Sequence, residues 1–296
     1  MKFHVTNIEP AGYRFAYFLD NVARMLVYGL ESLGHDCSLG QNNVEPDCTN
    51  IIVGGHLLTR PEDVEKILSS GASYIVCQSE IIRSDGVNLL RNKEKMELVY
   101  MPLLHGATAV WDGSPENLQP LARRGIQASQ FLGGYHPSFE EVTRKNKRDI
   151  DFLFVGSPTP HRRDLMQQLR DRGYRVTSLF DARAMYRNDA IARTKVHLAP
   201  GQGDTMDHFP WSRVCFLLNN RGLVVVERCR DQEWLEHCFV TTDAGNWCDA
   251  CIETLQRQDR LEFEEQCYQR FRQMPFTDRL AGLLEETNTV KLAMNA

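Results

Sequence analysis

The sequence predicts a doubly wound α/β fold in two domains, and three observations support this prediction. Short apolar runs of strand length alternate with helical stretches along the whole chain, an order typical of parallel sheets covered by helices. Glycines and polar side chains follow many of these runs at the point where each ends. The polar segment 140–148, which contains a basic run at 144–148, separates two series of strands, and we interpret it as a solvated interdomain linker.

Length, composition and charge limit the possible classes of protein. The 296 residues suffice for two domains, and 42% hydrophobic with 25% charged residues is typical of a soluble globular protein. A net charge of -5 disfavours binding of nucleic acid through overall charge, although the run at 144–148 leaves a local contact open. No apolar stretch is long enough to span a membrane.

The nine cysteines are scattered along the chain, and their number is odd. Cys248 and Cys251 form the only close pair, without a second pair or histidines at zinc-finger spacing. This pattern is typical of reduced thiols. We therefore expect a cytoplasmic protein with neither disulfides nor a metal site.

The first domain is expected at 1–140. Its predicted strands are 2–8, 36–39, 50–53, 74–77, 98–101, 108–112 and 127–131. A helix is predicted at 15–33, where apolar residues recur at helical spacing until Gly34, and another at 62–68. Ser114 and Pro115 predict a further helix start.

The second domain is expected at 149–276, with a final segment at 277–296. Its predicted strands are 149–155, 175–180, 196–199, 223–227 and 238–241, and its last helices are 263–272 and 278–286. The first strand runs into Gly156 and Ser157 and then into a helix. Glycine lets the backbone approach a phosphate, and the first helical turn offers free N–H groups, so this turn predicts an anion cradle.

Charged side chains near this turn strengthen the prediction. Arg162 and Arg163 open the helix, where positive charge is unfavourable against the helix dipole, and this favours a negative partner. Glu227 ends the fourth strand of the domain, while Lys195 and Arg213 supply further charge. Alternatively, Glu227 pairs with Arg228, and Lys195 and Arg213 are surface charges.

In the first domain, three polar side chains follow strands: His56, Glu80 and Asp112. Open α/β sheets bind ligands beyond the carboxyl ends of their strands, so these residues are candidates for an active site. His56 is equally well explained as a structural histidine beside a glycine turn, and Glu80 and Asp112 as helix caps.

Several motifs together resemble the bacterial glycosyltransferases of the GT-B type, which have two Rossmann-like domains facing each other across a cleft. The closest resemblance is to the compact CgeB-like, "glycosyl transferases group 1" proteins, and it covers nearly the whole chain. The motifs that carry it are Asp151-Phe-Leu-Phe-Val-Gly-Ser157 with Arg162-Arg163, Ala192-Arg-Thr-Lys-Val-His-Leu198, Arg213-Val-x-x-Leu-Leu-Asn219, Val224-Val-Val-Glu227, Ile52-Val-Gly-Gly-His56, Ser79-Glu80, Val110-Trp-Asp112 with Asn117, and Gly134-Tyr-His-Pro137.

The resemblance implies that the two domains bind different substrates. The first domain would bind the acceptor, the second the nucleotide-sugar donor, and the last helix would pack back toward the first domain. Gly156 and Ser157 would lie against the diphosphate, Arg162 or Lys195 would neutralise it, and Arg213 and Glu227 would contact the donor. One departure is that 209–220 lacks the pair of glutamates that many retaining GT-B enzymes carry there.

We therefore expect a glycosyltransferase, transferring a hexose or pentose from a nucleoside-diphosphate sugar to an acceptor hydroxyl. No metal or cofactor is expected, because helix N-termini and basic side chains can stabilise the leaving diphosphate. If the enzyme inverts, the candidate bases are Glu80, Asp112 and His56, in that order. Glycan, protein, small molecule and DNA remain open as acceptors. The alternatives are a phage-type DNA-base glycosyltransferase, a nucleotide-sugar epimerase and a non-catalytic sugar-nucleotide binding module.

Overall fold

The computed structural model describes residues 1–13, 16–87, 92–203 and 208–294. The chain divides into two compact units, one formed by Met1–Gly133 with Phe276–Ala296 and the other by Gly134–Pro275. Residues 134–140, assigned above to the first domain, therefore belong to the second unit. The predicted helix start at Phe15 lies outside the described residues.

The described strands form two parallel sheets and one small hairpin. They are β1 Lys2–Asn7, β2 Asp36–Gln41, β3 Thr49–Val53, β4 Tyr74–Gln78, β5 Ile82–Arg83, β6 Gly86–Val87, β7 Ala109–Asp112, β8 Ala128–Gln130, β9 Ile150–Val155, β10 Val176–Leu179, β11 Thr194–Ala199, β12 Val224–Glu227 and β13 Val240–Thr242. The first unit has the order β2-β1-β3-β4-β7-β8, and the second has β10-β9-β11-β12-β13. All pairs in these two sheets are parallel, whereas β5 and β6 are antiparallel.

Helices connect most of the successive parallel strands, as crossover connections require, and the last three helices follow β13. The helices are α1 Asp20–Ser32, α2 Pro61–Ser69, α3 Lys93–Lys95, α4 Met101–His105, α5 Leu118–Ala122, α6 Pro160–Asp171, α7 Ala184–Ala192, α8 Trp211–Asn219, α9 Trp247–Gln256, α10 Arg260–Arg272 and α11 Phe276–Met294. A π-helical turn, Met96–Tyr100, joins α3 to α4. In the described part of the chain, no helix has the length and apolarity needed to cross a lipid bilayer.

The prediction of a strand at 98–101 is wrong, because this segment is helical. The buried residues recur at helical spacing through the proline: Met96, Val99, Tyr100, Leu103 and Leu104. Pro102 lies in the first turn of α4, where its missing N–H costs little. The preceding π-turn absorbs the register change, which is a frequent use of that conformation.

The interpretation of 144–148 as a solvated linker is also wrong. Glu264 on α10 is fully buried and forms ion pairs with Arg144 and Arg148, the second at 3.0 Å. Arg260 lies 3.6 Å from the same carboxylate. The basic run at 144–148, called the strap below, is therefore packed against α10 within the second unit. Its arginines neutralise the buried Glu264 carboxylate.

The last helix belongs to the first unit. Its Phe276 ring packs so closely on α1 that a Cβ added to Gly29 would lie 2.6 Å from it. Thr287 accepts a hydrogen bond of 2.9 Å from the indole of Trp111, at the buried end of β7. The core of the first unit is therefore built from both ends of the chain.

Candidate functional site

The glycine turn of the second unit is shaped by an arginine. β9 ends at Val155, and the Gly156 N–H donates a hydrogen bond of 2.9 Å to the Leu179 carbonyl at the end of β10. A Cβ at Gly156 would lie 2.9 Å from Nη2 of Arg213 and 2.9 Å from the Phe154 ring. Glycine is needed here because the guanidinium and the aromatic ring occupy the space beside the backbone.

Arg213 carries a positive charge without a compensating acid among the described residues. It lies in the first turn of α8, with its guanidinium 5.4 Å from the centre of the Phe154 ring. Its Nη1 atom is buried and has no hydrogen-bond partner in the described part of the chain. Burial lowers its pKa to about 10, so it remains charged at neutral pH. A buried nitrogen of a charged group is costly to leave without a hydrogen bond, and an anion that binds there would remove this cost.

Arg162 is a second buried guanidinium beside Phe154, at 5.1 Å from the ring centre. It donates hydrogen bonds to the carbonyls of Ser157 at 3.1 Å, Pro200 at 3.1 Å and Gly201 at 2.9 Å. Burial and the charge of Arg213 lower its pKa to about 9. Arg162 therefore ties the turn after β9 to the loop after β11, and its charge adds to that of Arg213.

Glu227 and His161 complete this group. The Glu227 carboxylate, at the end of β12, accepts a hydrogen bond of 2.7 Å from the Gly201 N–H. His161, in the first turn of α6, places Nε2 at 2.9 Å from both carboxylate oxygens. Carboxyl ends of three strands and two helix starts thus bring together Gly156, Ser157, Arg162, Arg213 and Glu227.

Lys195 is not part of this group. It is the second residue of β11, so it lies at the amino end of the sheet, roughly 13 Å of strand away from Ala199. Its Nζ donates a hydrogen bond of 2.7 Å to Asp151, whose carboxylate also accepts one of 3.1 Å from Arg175. Lys195 therefore lies at the amino ends of the strands, whereas Gly156 lies at their carboxyl ends.

In the first unit, Asp112 and Glu80 are joined through Asn117. The Asn117 amide donates hydrogen bonds of 2.9 Å to the Asp112 carboxylate and 2.8 Å to the Glu80 carbonyl. Asp112 is fully buried and also accepts the Ser114 N–H at 2.8 Å, which is a local turn contact. The Gln78 side chain bonds both the N–H and the carbonyl of Glu80. The backbone of Glu80 is held rigidly, while its side chain is half-buried.

His56 lies in a less polar position at the end of β3. It is buried, and its ring meets the Tyr100 ring edge-on, with centres 6.3 Å apart. Burial and the nearby Lys95 lower its pKa to about 3, so it is a neutral imidazole at pH 7. The Tyr100 hydroxyl is buried without a described hydrogen-bond partner, and burial together with Asp112, Cys77 and Glu80 raises its pKa strongly. The Tyr100 ring therefore contacts His56, and the charges of Asp112 and Glu80 act on its hydroxyl.

The sequence analysis missed His161, Phe154 and Tyr100. His161 stands between a helix-initiating proline and Arg162, a signal that could have been noticed. The sequence places Phe154 only within a predicted strand, and the same holds for Tyr100. None of these contacts could be derived from spacing, because each joins residues distant in the chain.

The first unit also contains a polar cleft beyond its sheet. This cleft of about 570 Å³ lies beyond β1 and β2, lined in part by Glu9, Asn42, Asn43, Arg60 and Lys66. Its polar side chains pair with one another, as in the two hydrogen bonds between Arg60 and Asp63. Among the described residues, no three His, Cys, Asp or Glu side chains are grouped to hold a metal ion.

Comparison with known proteins supports the architecture. No protein-family model matches the chain, and no curated protein matches its sequence. AviGT4, a glycosyltransferase involved in avilamycin A biosynthesis, superposes with a TM-score of 0.58 at 13% identity, covering 99% of this chain and 98% of that one. A structure of OtsA gives 0.58 at 8% identity, covering 97% and 98%.

The α,α-trehalose 6-phosphate synthase of Burkholderia multivorans gives a TM-score of 0.54 at 10% identity, over 97% of this chain and 78% of that one. These structural neighbours are GT-B glycosyltransferases. At such low identity the likeness establishes the fold and leaves the reaction to be argued from the site. The chain has the GT-B fold, an α/β architecture of two Rossmann-like domains.

Proposed function

We propose that this protein is a glycosyltransferase that transfers a sugar from a nucleoside-diphosphate sugar to an acceptor hydroxyl. The observation that carries the proposal is the partly buried Arg213 guanidinium against Gly156, at the carboxyl ends of the strands of a parallel sheet, whose buried Nη1 atom has no hydrogen-bond partner among the described residues. Ligands of open α/β folds bind at this edge. The fold likeness to nucleotide-sugar-dependent enzymes supports the same reading.

The donor diphosphate would supply the negative charge that Arg213 lacks among the described residues. Its oxygens would accept hydrogen bonds from Arg213 and from the backbone N–H groups of Ser157, after β9, and His161, in the first turn of α6. Arg162 adds a second positive charge while holding the loop carbonyls. Charge that develops on the leaving diphosphate would thus be stabilised by protein cations, and we propose that no divalent metal is required.

We propose that the acceptor binds in the first unit, with Glu80 as the base. Glu80 has a fixed backbone and a half-buried side chain, whereas Asp112 is fully buried and bonded to the turn that follows it. His56 is neutral at pH 7 and able to accept a proton, but its burial opposes the charge that results. The order Glu80, His56, Asp112 follows from accessibility.

Arg213→Met tests the donor site through a trade-off. Removing a partly buried cation that has no acidic partner among the described residues should leave the ligand-free protein as stable as wild type or stabilise it by up to about 2 kcal/mol. The same change should weaken nucleoside diphosphate binding roughly ten- to hundredfold, because a charge-assisted contact is lost. Calorimetry with UDP, GDP, ADP and TDP, alongside thermal unfolding, measures both.

Arg172→Met is the matched control, since Arg172 is half-exposed and pairs with Asp249. It should leave binding within about twofold of wild type. If Arg213→Met binds each nucleotide as wild type does, Arg213 is not a phosphate ligand and the donor site lies elsewhere.

A further inference from the structure

His161 has a fixed tautomer that leaves one ring nitrogen for a ligand. A carboxylate can only accept hydrogen bonds, so Nε2 must carry the proton it shares with Glu227. The other nitrogen, Nδ1, makes no hydrogen bond with a described residue. The side chain is 30% exposed, so solvent or a ligand can reach the ring.

The charges around His161 favour a second proton when an anion binds. Glu227 faces it from β12, Arg162 follows it on α6, and Arg213 lies across Phe154 on α8. Arg163, on the same helix, is turned to the Pro158 carbonyl. Without a ligand, the two arginines and the one carboxylate leave a net positive charge beside the ring. A diphosphate reverses that balance, because it brings more than one negative charge beside the ring.

The loop at 200–203 places His161 beside the same backbone that Arg162 organises. A Cβ at Gly203 would lie 3.4 Å from Cβ of His161. Gly201 donates its N–H to Glu227 and accepts from Arg162 with its carbonyl. Gly201 therefore holds both the Glu227 carboxylate and the Arg162 guanidinium, and Glu227 in turn holds the His161 ring. A ligand that reaches Arg213 at Gly156 comes to this edge of the sheet.

We propose that His161 is a further ligand of the leaving diphosphate, binding it as an imidazolium that Glu227 positions; this rests on the proposed donor site. In the reaction, the bond between the sugar C1 and the β-phosphate oxygen breaks, and its electron pair stays on that oxygen. His161 donates a hydrogen bond to the departing group without giving up its proton. The acceptor oxygen forms the new bond to C1, and its proton goes to the base.

Proton uptake on binding distinguishes this role from a structural one. Wild type titrated with UDP, GDP, ADP and TDP in two buffers of different ionisation enthalpy, at about pH 7, should take up a measurable fraction of a proton per nucleotide. His161→Gln keeps a donor for Glu227 but cannot be protonated, so the uptake should vanish. Its affinity should fall roughly tenfold at about pH 6 and much less at about pH 8.5.

His237→Gln is the control, because His237 is exposed and precedes β13 at the amino end of the sheet. It should take up protons as wild type does. If Arg213→Met loses binding while His161→Gln retains both the uptake and the affinity, the donor site stands and the role of His161 is refuted. If wild type binds none of the four nucleotides, both the proposed function and this assignment fail.

Discussion

At the scale of the residue, the roles of Gly156 and Arg213 depend on each other, because the Arg213 guanidinium occupies the space beside the Gly156 backbone. A Cβ at Gly156 would meet the guanidinium before any phosphate, since both Nη2 and the Phe154 ring stand at 2.9 Å. We therefore expect Gly156→Ala to displace Arg213 and to weaken nucleoside diphosphate binding roughly tenfold, with a larger loss for Gly156→Val. Calorimetric titration measures the loss.

The control for that change is Gly245→Ala, where an added Cβ meets nothing within 4 Å. It should bind as wild type does. Wild-type affinity in a folded Gly156→Val protein would instead mean that this turn does not contact the nucleotide.

At the scale of the element, the sequence predicted more of the sheets than of their contacts. Strand order follows from short apolar runs that alternate with helices, so β9 to β13 were found within a few residues. The segment containing Tyr100 was misread because Pro102 was taken as a boundary, although the buried spacing continues through it. Arg144 and Arg148 were misread because a run of like charge gives no hint of a buried carboxylate more than a hundred residues away.

The strap at 144–148 gives an element-scale prediction for stability. Glu264→Gln would leave the partly buried Arg144 and Arg148 without an ionised acceptor at a fully buried position, and we expect it to lower the free energy of unfolding by about 3–5 kcal/mol. Urea unfolding measures this. Glu265→Gln, on the same helix but with a half-exposed carboxylate paired with Arg221, should cost less than about 1 kcal/mol. Equal losses in the two variants would contradict a docked strap.

The ion pairs at the amino ends of the strands of the second sheet make the free energy of unfolding depend on pH. Burial alone would raise the pKa of Asp151, but hydrogen bonds from Arg175 and Lys195 lower it from 3.8 to about 2. A depressed carboxyl pKa contributes stability above about pH 4, and this contribution is lost as the pH falls toward 2. Asp151→Asn should therefore lose about 1–2 kcal/mol at pH 7 and little at pH 2.5. Urea titrations at both values check the sign, and a loss that grows in acid would reverse it.

Because Lys195 pairs with Asp151, we expect Lys195→Ala to leave the affinity for nucleoside diphosphate nearly unchanged. Its ammonium is committed to Asp151 at 2.7 Å, at the other end of β11 from the glycine turn. Nucleoside diphosphate affinity should stay within about twofold of wild type at low salt, since a distant charge acts only through a screened field. A tenfold loss in calorimetry would mean that Lys195 reaches the nucleotide after all.

At the scale of the whole molecule, the chain joins a unit closed by both termini to a unit formed by one continuous segment. The proposed donor ligands, from Gly156 to Glu227, all lie in the second unit, whereas the Phe276 ring is buried in the first. Each unit has its own core, so calorimetric melting should resolve two transitions. Nucleoside diphosphate should raise the temperature of one of them, because a ligand stabilises only the unit that binds it.

Phe276→Ala should then lower the other transition, since truncating a fully buried phenylalanine costs about 3–5 kcal/mol. Nucleotide affinity should remain within about twofold of wild type, because no residue of the donor group is changed. Scanning calorimetry of both proteins, each with and without the tightest-binding nucleotide, assigns the transitions. If Phe276→Ala lowers the transition that the nucleotide raises, the donor site depends on the first unit, and the second unit alone does not account for binding.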